Sequence, residues 1–155
     1  MNELWRQLKN LGLEKDFQWS IIDRWPLHKG FINAVLQRIE ERMLDFAPQD
    51  RDRVTIVFSA HSVPMKVVEK GDHYVPEVAA TVSNLMEKWN QKVRAGEIDG
   101  MNKASRHVLA WQSKVGFLPW MSPSTSDAIK QLAQIRGNKS LLIVPIAFTS
   151  DHIET

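Results

Sequence analysis

The run VTIVFSA, residues 54–60, constrains the fold more than any other stretch. It carries no charge and is dominated by β-branched and aromatic side chains. Such a run fits a strand buried on both faces, the situation of a strand in a parallel sheet sandwiched between helices. Three further runs read as strands: FQWSIID (17–23), HVLAWQS (107–113) and SLLIVPIAF (140–148). Segments with helical spacing separate them. Residues 2–13 place Leu4, Trp5, Leu8 and Leu11 on one side. Pro26 opens a long amphipathic stretch with Phe31, Ile32, Val35, Leu36, Ile39 and Met43 on its apolar face. PEVAATVSNLMEKWNQKV (76–93) and TSDAIKQLAQI (125–135) repeat the pattern, with Pro76 near one start and Gly137 after the other's end. Residues 61–75, the stretch RAGEIDGMNKAS and KVGFLPWMSPS read as loops. Pro145 cannot donate a ladder hydrogen bond, so the last strand belongs at an edge or bulges there. Alternating strands and helices predict an α/β fold over residues 1–155: one doubly wound domain, with a four-stranded parallel sheet and helices on both faces.

The remaining composition mostly excludes. The 155 residues suit one domain with a genuine core. Twenty Lys and Arg against 18 Asp and Glu leave a formal charge of +2, and the basic residues are dispersed, so nucleic acid is not an expected partner. The N-terminal MNELWRQLKN resembles neither a signal nor a transit peptide. Cysteine is absent, which removes disulfides, thiolate metal sites and a cysteine nucleophile from these residues. No GxxxxGK[ST], GxGxxG or GxSxG pattern is present.

In open parallel sheets, ligands bind beyond the carboxyl ends of the strands. Three strand ends carry polar groups there. His61 follows VTIVFSA. Ser113, Lys114 and Trp120 follow or lie just beyond HVLAWQ. Phe148, Asp151, His152 and Glu154 close the chain in FTSDHIET. Two imidazoles and two carboxylates suit a divalent first-row metal or proton transfer. Each also has a plainer reading. His61 could be a core histidine bonded to backbone, and Asp151 and Glu154 could be dipole partners in a first helical turn.

At these residues the chain resembles the ferrochelatases, which insert ferrous iron into protoporphyrin IX. The matching runs are WSIIDRWP (19–26), FSAHSVP (58–64), EVAATV (77–82), WQSKVG (111–116) with PW (119–120), and PIAFTSDHIET (145–155). The WQSKVG and SDHIET wording resembles the mitochondrial enzymes of fungi and animals more than bacterial ones. The match corresponds to part of the second of the family's two α/β halves, between which the porphyrin lies. The chain therefore reads as a fragment, with the N-terminal half missing and Thr155 a truncation point. Residues from Ser150 onward would then be poorly held, and one face would be an exposed apolar half-cleft. Val63, Phe117, Met121-Ser122 and GDHYVPEV depart from the family wording, and RAGEIDGMN is longer.

The resemblance implies roles. His61, Glu154 and His152 would be catalytic, with His61 and Glu154 as the groups that meet the metal. Asp151 would orient His152. Trp120 and Phe148 would contact the macrocycle, with Ser113 and Lys114 on its rim. His28 would be an accessory proton or metal site, while His73 and His107 have no assigned part. No organic cofactor is implied: ferrous iron is a substrate, and the absence of cysteine here leaves an iron–sulfur cluster undecided. Protoporphyrin IX, the missing half of the enzyme, a homodimer and the matrix side of the mitochondrial inner membrane complete the expectation. The alternative is a non-catalytic α/β module that binds tetrapyrrole or metal without turnover.

Overall fold

The computed structural model describes residues 2–16, 18–135 and 139–148. Three parallel strands form the sheet: β1 (Thr55–His61), β2 (Arg106–Gln112) and β3 (Leu141–Pro145), in the order β2-β1-β3. β1 is central. Its register pairs Thr55 with Arg106 and Leu141, and His61 with Gln112.

Burial follows from that position. Ile56, Phe58 and Ala60 point to one face, where α2 (Lys29–Met43) and α5 (Tyr74–Arg94) cover them with Ile32, Leu36, Ile39, Val82, Leu85 and Trp89. Val57 points to the other face, against Ala110, Ala128 and Leu132. The last two belong to α6 (Thr125–Lys130) and the π-helical turn Gln131–Ile135 that continues it. Each fully buried aliphatic or aromatic side chain contributes about 1.5–3 kcal/mol, so β1 anchors both layers. The expected two-sided coverage is present.

The strand expected over 17–23 is not: residues 18–23 form no strand, and Phe17 lies outside the described residues. The sheet therefore has three strands among the described residues, not four. Trp19 instead packs against the short α1 (Asn2–Asn10). Trp5 and Trp19 meet edge-on at 6.5 Å, and the Trp19 indole donates to the Glu14 carbonyl at 3.0 Å. Ile21 and Ile22 remain exposed. Side-chain pattern licenses a strand, but only a neighbouring strand can complete its hydrogen bonds.

Boundaries shift for local reasons. α2 starts at Lys29 rather than at Pro26, because a turn closes from Trp25 O to His28 N–H at 3.1 Å. His28 is then the N-cap, its Nδ1 accepting from Gly30 N–H at 3.2 Å. α5 starts at Tyr74, whose N–H is accepted by Asp72 Oδ1 at 2.9 Å. Pro76 falls in its first turn, where no N–H is needed. Two short helices are added: α4 (Met65–Glu69) lies within the stretch read as a loop, and α3 (Pro48–Arg51) follows the end of α2. Pro145 ends β3, which among the described residues pairs with β1 alone, so the edge expectation holds. The next ladder bond comes from Ile146 N–H to Ser59 O at 2.9 Å.

Candidate functional site

His61 is the last residue of the central strand, so it emerges at the middle of the carboxyl edge. Its Nδ1 lies 2.6 Å from the carbonyl oxygen of Ser62. A carbonyl can only accept, so Nδ1 carries the proton. In the neutral ring the lone pair is therefore on Nε2, the nitrogen that could take a proton or meet a metal.

Both strand exits beside His61 are conformationally strained. Ser113, directly after β2, has φ 66°, and Ala147, two residues after β3, has φ 69°. Left-handed backbone at a residue with a Cβ costs roughly 1–2 kcal/mol. Such costs concentrate where the surrounding structure must aim particular groups. Ser113 starts the loop bearing Lys114, and Ala147 immediately precedes the half-buried Phe148.

The loops after β1 and β2 are laced together. Ser62 N–H donates to Gln112 O at 2.8 Å, and the Ser62 hydroxyl to Met121 O at 3.2 Å. Met121 N–H donates to Val63 O at 3.0 Å, and Met65 N–H to Pro119 O at 3.0 Å. Pro64 and Trp120 thus face each other in an antiparallel bridge. Trp120 is held within this clasp, and its shielded indole N–H has no hydrogen-bond partner among the described residues. Beneath, the Ser59 hydroxyl donates to Gln112 Oε1. It has a single proton, so Thr125 Oγ1 must donate to it, at 2.8 Å.

A groove runs from this edge toward the start of α5. Two cavities, of about 540 and 210 Å³, share Asp23, Arg24, Tyr74 and Glu77. Ala147 lines the smaller one. Arg24 and Glu77 form an ion pair at 2.9 Å across the shared wall. Tyr74 connects the groove to the sheet: its ring lies 6.3 Å from that of Trp111. Burial pushes its phenol above the usual range, against a hydrogen bond with the His61 backbone. The sequence alone did not single out Tyr74, Arg24, Glu77 or Ala147, and Ser62 stood out only as a neighbour of His61 without a GxSxG elbow. That Tyr74 is the chain's only tyrosine, and that Arg24 falls within WSIIDRWP, were the available signals.

The expected residues divide into three groups. His61, Ser113, Lys114, Trp120 and Phe148 all lie at the carboxyl edge, with β1 flanked by the exits of β2 and β3. His28 is engaged in capping α2, and His107 sits at the opposite end of β2 with its ring 6.3 Å from Phe58. Asp151, His152 and Glu154, like everything after Phe148, lie outside the described residues. Among the described residues no group of three or more His, Asp or Glu could hold a metal. Beyond the clasp, Val115, Phe117 and Leu118 are exposed.

The ferrochelatase family model matches residues 1–155. The mitochondrial ferrochelatase of Schizosaccharomyces pombe is 54% identical over the whole chain, which covers 34% of that relative. Those of Gallus gallus and Homo sapiens are 46% and 43% identical, again over the whole chain and 35% and 34% of their own lengths. The chain spans about a third of the length of the curated relatives it matches. With a family match over every residue, this chain belongs to the ferrochelatase family.

Proposed function

We propose that this chain carries one wall of a ferrochelatase active site and takes part in inserting ferrous iron into protoporphyrin IX to form protohaem. The observation that supports this most is the family match over residues 1–155, together with His61 at the end of the central strand. By resemblance, the chain corresponds to part of the second of the family's two halves, and the other half supplies the opposite wall. Its relatives are named as mitochondrial, and we propose the same compartment, on the matrix side of the inner membrane, for the protein to which these residues belong.

The reaction exchanges two pyrrole N–H protons for one Fe²⁺, with no change of oxidation state. A base must stand near the ring centre, and a few weak N or O ligands must take iron from water and release it. His61 fits the base: its lone pair is at Nε2, and its Nδ1–H is held by Ser62 O. Glu154 and His152, with Asp151 orienting His152, are proposed to face His61 across the same sheet edge, with Glu154 meeting the iron. Trp120 and Phe148 are proposed to grip the macrocycle, with Ser113 and Lys114 at its rim. Bending of the flat ring would expose its nitrogens to the metal.

A graft tests the reading. This chain replaces the aligned third of the Schizosaccharomyces pombe relative, and porphyrin fluorescence follows zinc or ferrous insertion. The graft is expected to turn over, and its His61→Ala variant to lose about 10²–10⁴-fold, the usual contribution of a positioned base. The 155-residue chain alone is expected not to turn over. A folded graft without activity, or an unimpaired His61→Ala graft, would refute the reading. Porphyrin binding without metal insertion would favour a non-catalytic module.

A further inference from the structure

The clasp at the carboxyl edge assigns a part to a residue with no role so far. We infer that Ser62 is a positioning residue: it holds the tautomer and orientation of His61 and ties them to the loop that carries Trp120. The significance of this for chemistry rests on the reading of His61 as the base, but the geometry stands without it.

Ser62 is 1% exposed, and all of its polar groups are used. Its carbonyl accepts the Nδ1–H of His61 at 2.6 Å. Its N–H reaches across to Gln112 O at 2.8 Å, anchoring the residue to β2. Its hydroxyl reaches Met121 O at 3.2 Å, and the same Met121 returns its N–H to Val63 O at 3.0 Å. The Ser62–Val63 peptide, whose oxygen receives the imidazole proton, is therefore flanked by bonds from the peptide before it to Gln112 and from the peptide after it to Met121, with the Ser62 hydroxyl as the side-chain tie to Met121. An imidazole alone is free to exchange between its two neutral tautomers, and the hydrogen bond made by one nitrogen decides which is populated. Here that bond comes from a peptide held by two backbone bonds and by one buried hydroxyl, the only one of these ties that a side-chain substitution can remove. Movement of the Trp120 loop would be felt at His61 through the same link.

Nitrogen-15 histidine spectra of the 155-residue chain test this without any substrate. They are recorded near pH 8, above the ordinary imidazole pKa, with His61→Asn identifying the resonance. The unsubstituted chain is expected to show His61 protonated at Nδ1. In Ser62→Ala, which lacks the hydroxyl, the His61 signals should move toward a mixture of both tautomers, while His28, His73 and His107 stay unchanged. Ser62→Cys, close in size with a weaker donor, should fall between the two and serves if the alanine variant does not fold. A folded Ser62→Ala or Ser62→Cys protein with the His61 pattern unchanged would overturn the inference. So would an unsubstituted chain with His61 protonated at Nε2 alone. Failure of the graft experiment would leave these spectra unaffected, so the two readings fall separately.

Discussion

Replacing Arg51 by methionine should destabilise this chain far more than removing the charge it pairs with. Arg51 is 6% exposed. Its Nε donates to Phe46 O at 3.0 Å, Nη2 to Leu44 O at 3.2 Å, and Nη1 to Asp99 O at 2.7 Å and Asp99 Oδ2 at 2.9 Å. The guanidinium thus closes the chain after α2 and binds it to the loop before β2. Methionine would keep most of the stem's apolar contact and strand three carbonyls. A buried acceptor left without a donor costs about 1–3 kcal/mol. Leu44 and Asp99 are exposed, so water can reach part of the gap, and the lower figure applies to each. The sum is about 3 kcal/mol, or a fall in Tm of roughly 6–12 °C for a chain of this size. The Asp99 side chain is 82% exposed, and an ion pair so open to water is worth at most about 1 kcal/mol. Urea unfolding of Arg51→Met, Arg51→Lys and Asp99→Asn separates the two effects. Lysine should fall between, since it is charged but lacks the fork that reaches several carbonyls. If Asp99→Asn lost as much as Arg51→Met, the charge pair rather than carbonyl satisfaction would be the source, and the reasoning would fail.

Two further outcomes follow from glycine geometry and from one histidine. Gly100 and Gly116 both have φ 72°, but a Cβ at Gly100 would lie 3.0 Å from the Pro48 backbone, while one at Gly116 meets nothing within 4 Å. Alanine at 116 should therefore cost about 1–2 kcal/mol for the left-handed backbone alone, and alanine at 100 clearly more; equal losses in thermal unfolding would contradict the packing argument. His107 has its pKa lowered by desolvation, so between its folded pKa and the unfolded value of about 6.5 the unfolded state binds more protons. Its contribution to stability is then complete above about pH 6.5 and declines as pH falls below that value. Urea midpoints across this range should show a shallower pH slope for His107→Asn than for the unsubstituted chain, and parallel slopes would count against the shift.

Much of this architecture is legible from local pattern. VTIVFSA could only be a strand covered on both faces, because Ile56 and Phe58 need one apolar layer and Val57 another. Once strands alternate with helices, the parallel arrangement follows, and with it the edge where His61, Ser113, Trp120 and Phe148 emerge. The edge position of β3 was legible in Pro145. FQWSIID, by contrast, carries the pattern of a strand yet pairs with nothing among the described residues, since pattern cannot supply a neighbour. The start of α2 was misread because a turn and a histidine cap take precedence over the proline before them.

The amino-acid sequence by itself determined the strand that bears His61, the two-layer burial around it and the family to which the chain belongs, because these depend on side-chain type and order along the chain. Only the tertiary structure decided how that histidine is held. The Ser62 bonds to residues 112 and 121, the Pro64–Trp120 bridge and the Tyr74 contact with His61 join segments 13 to more than 50 residues apart. The left-handed turns at Ser113 and Ala147 belong with them, because a residue with a Cβ enters that conformation only when its surroundings hold it there.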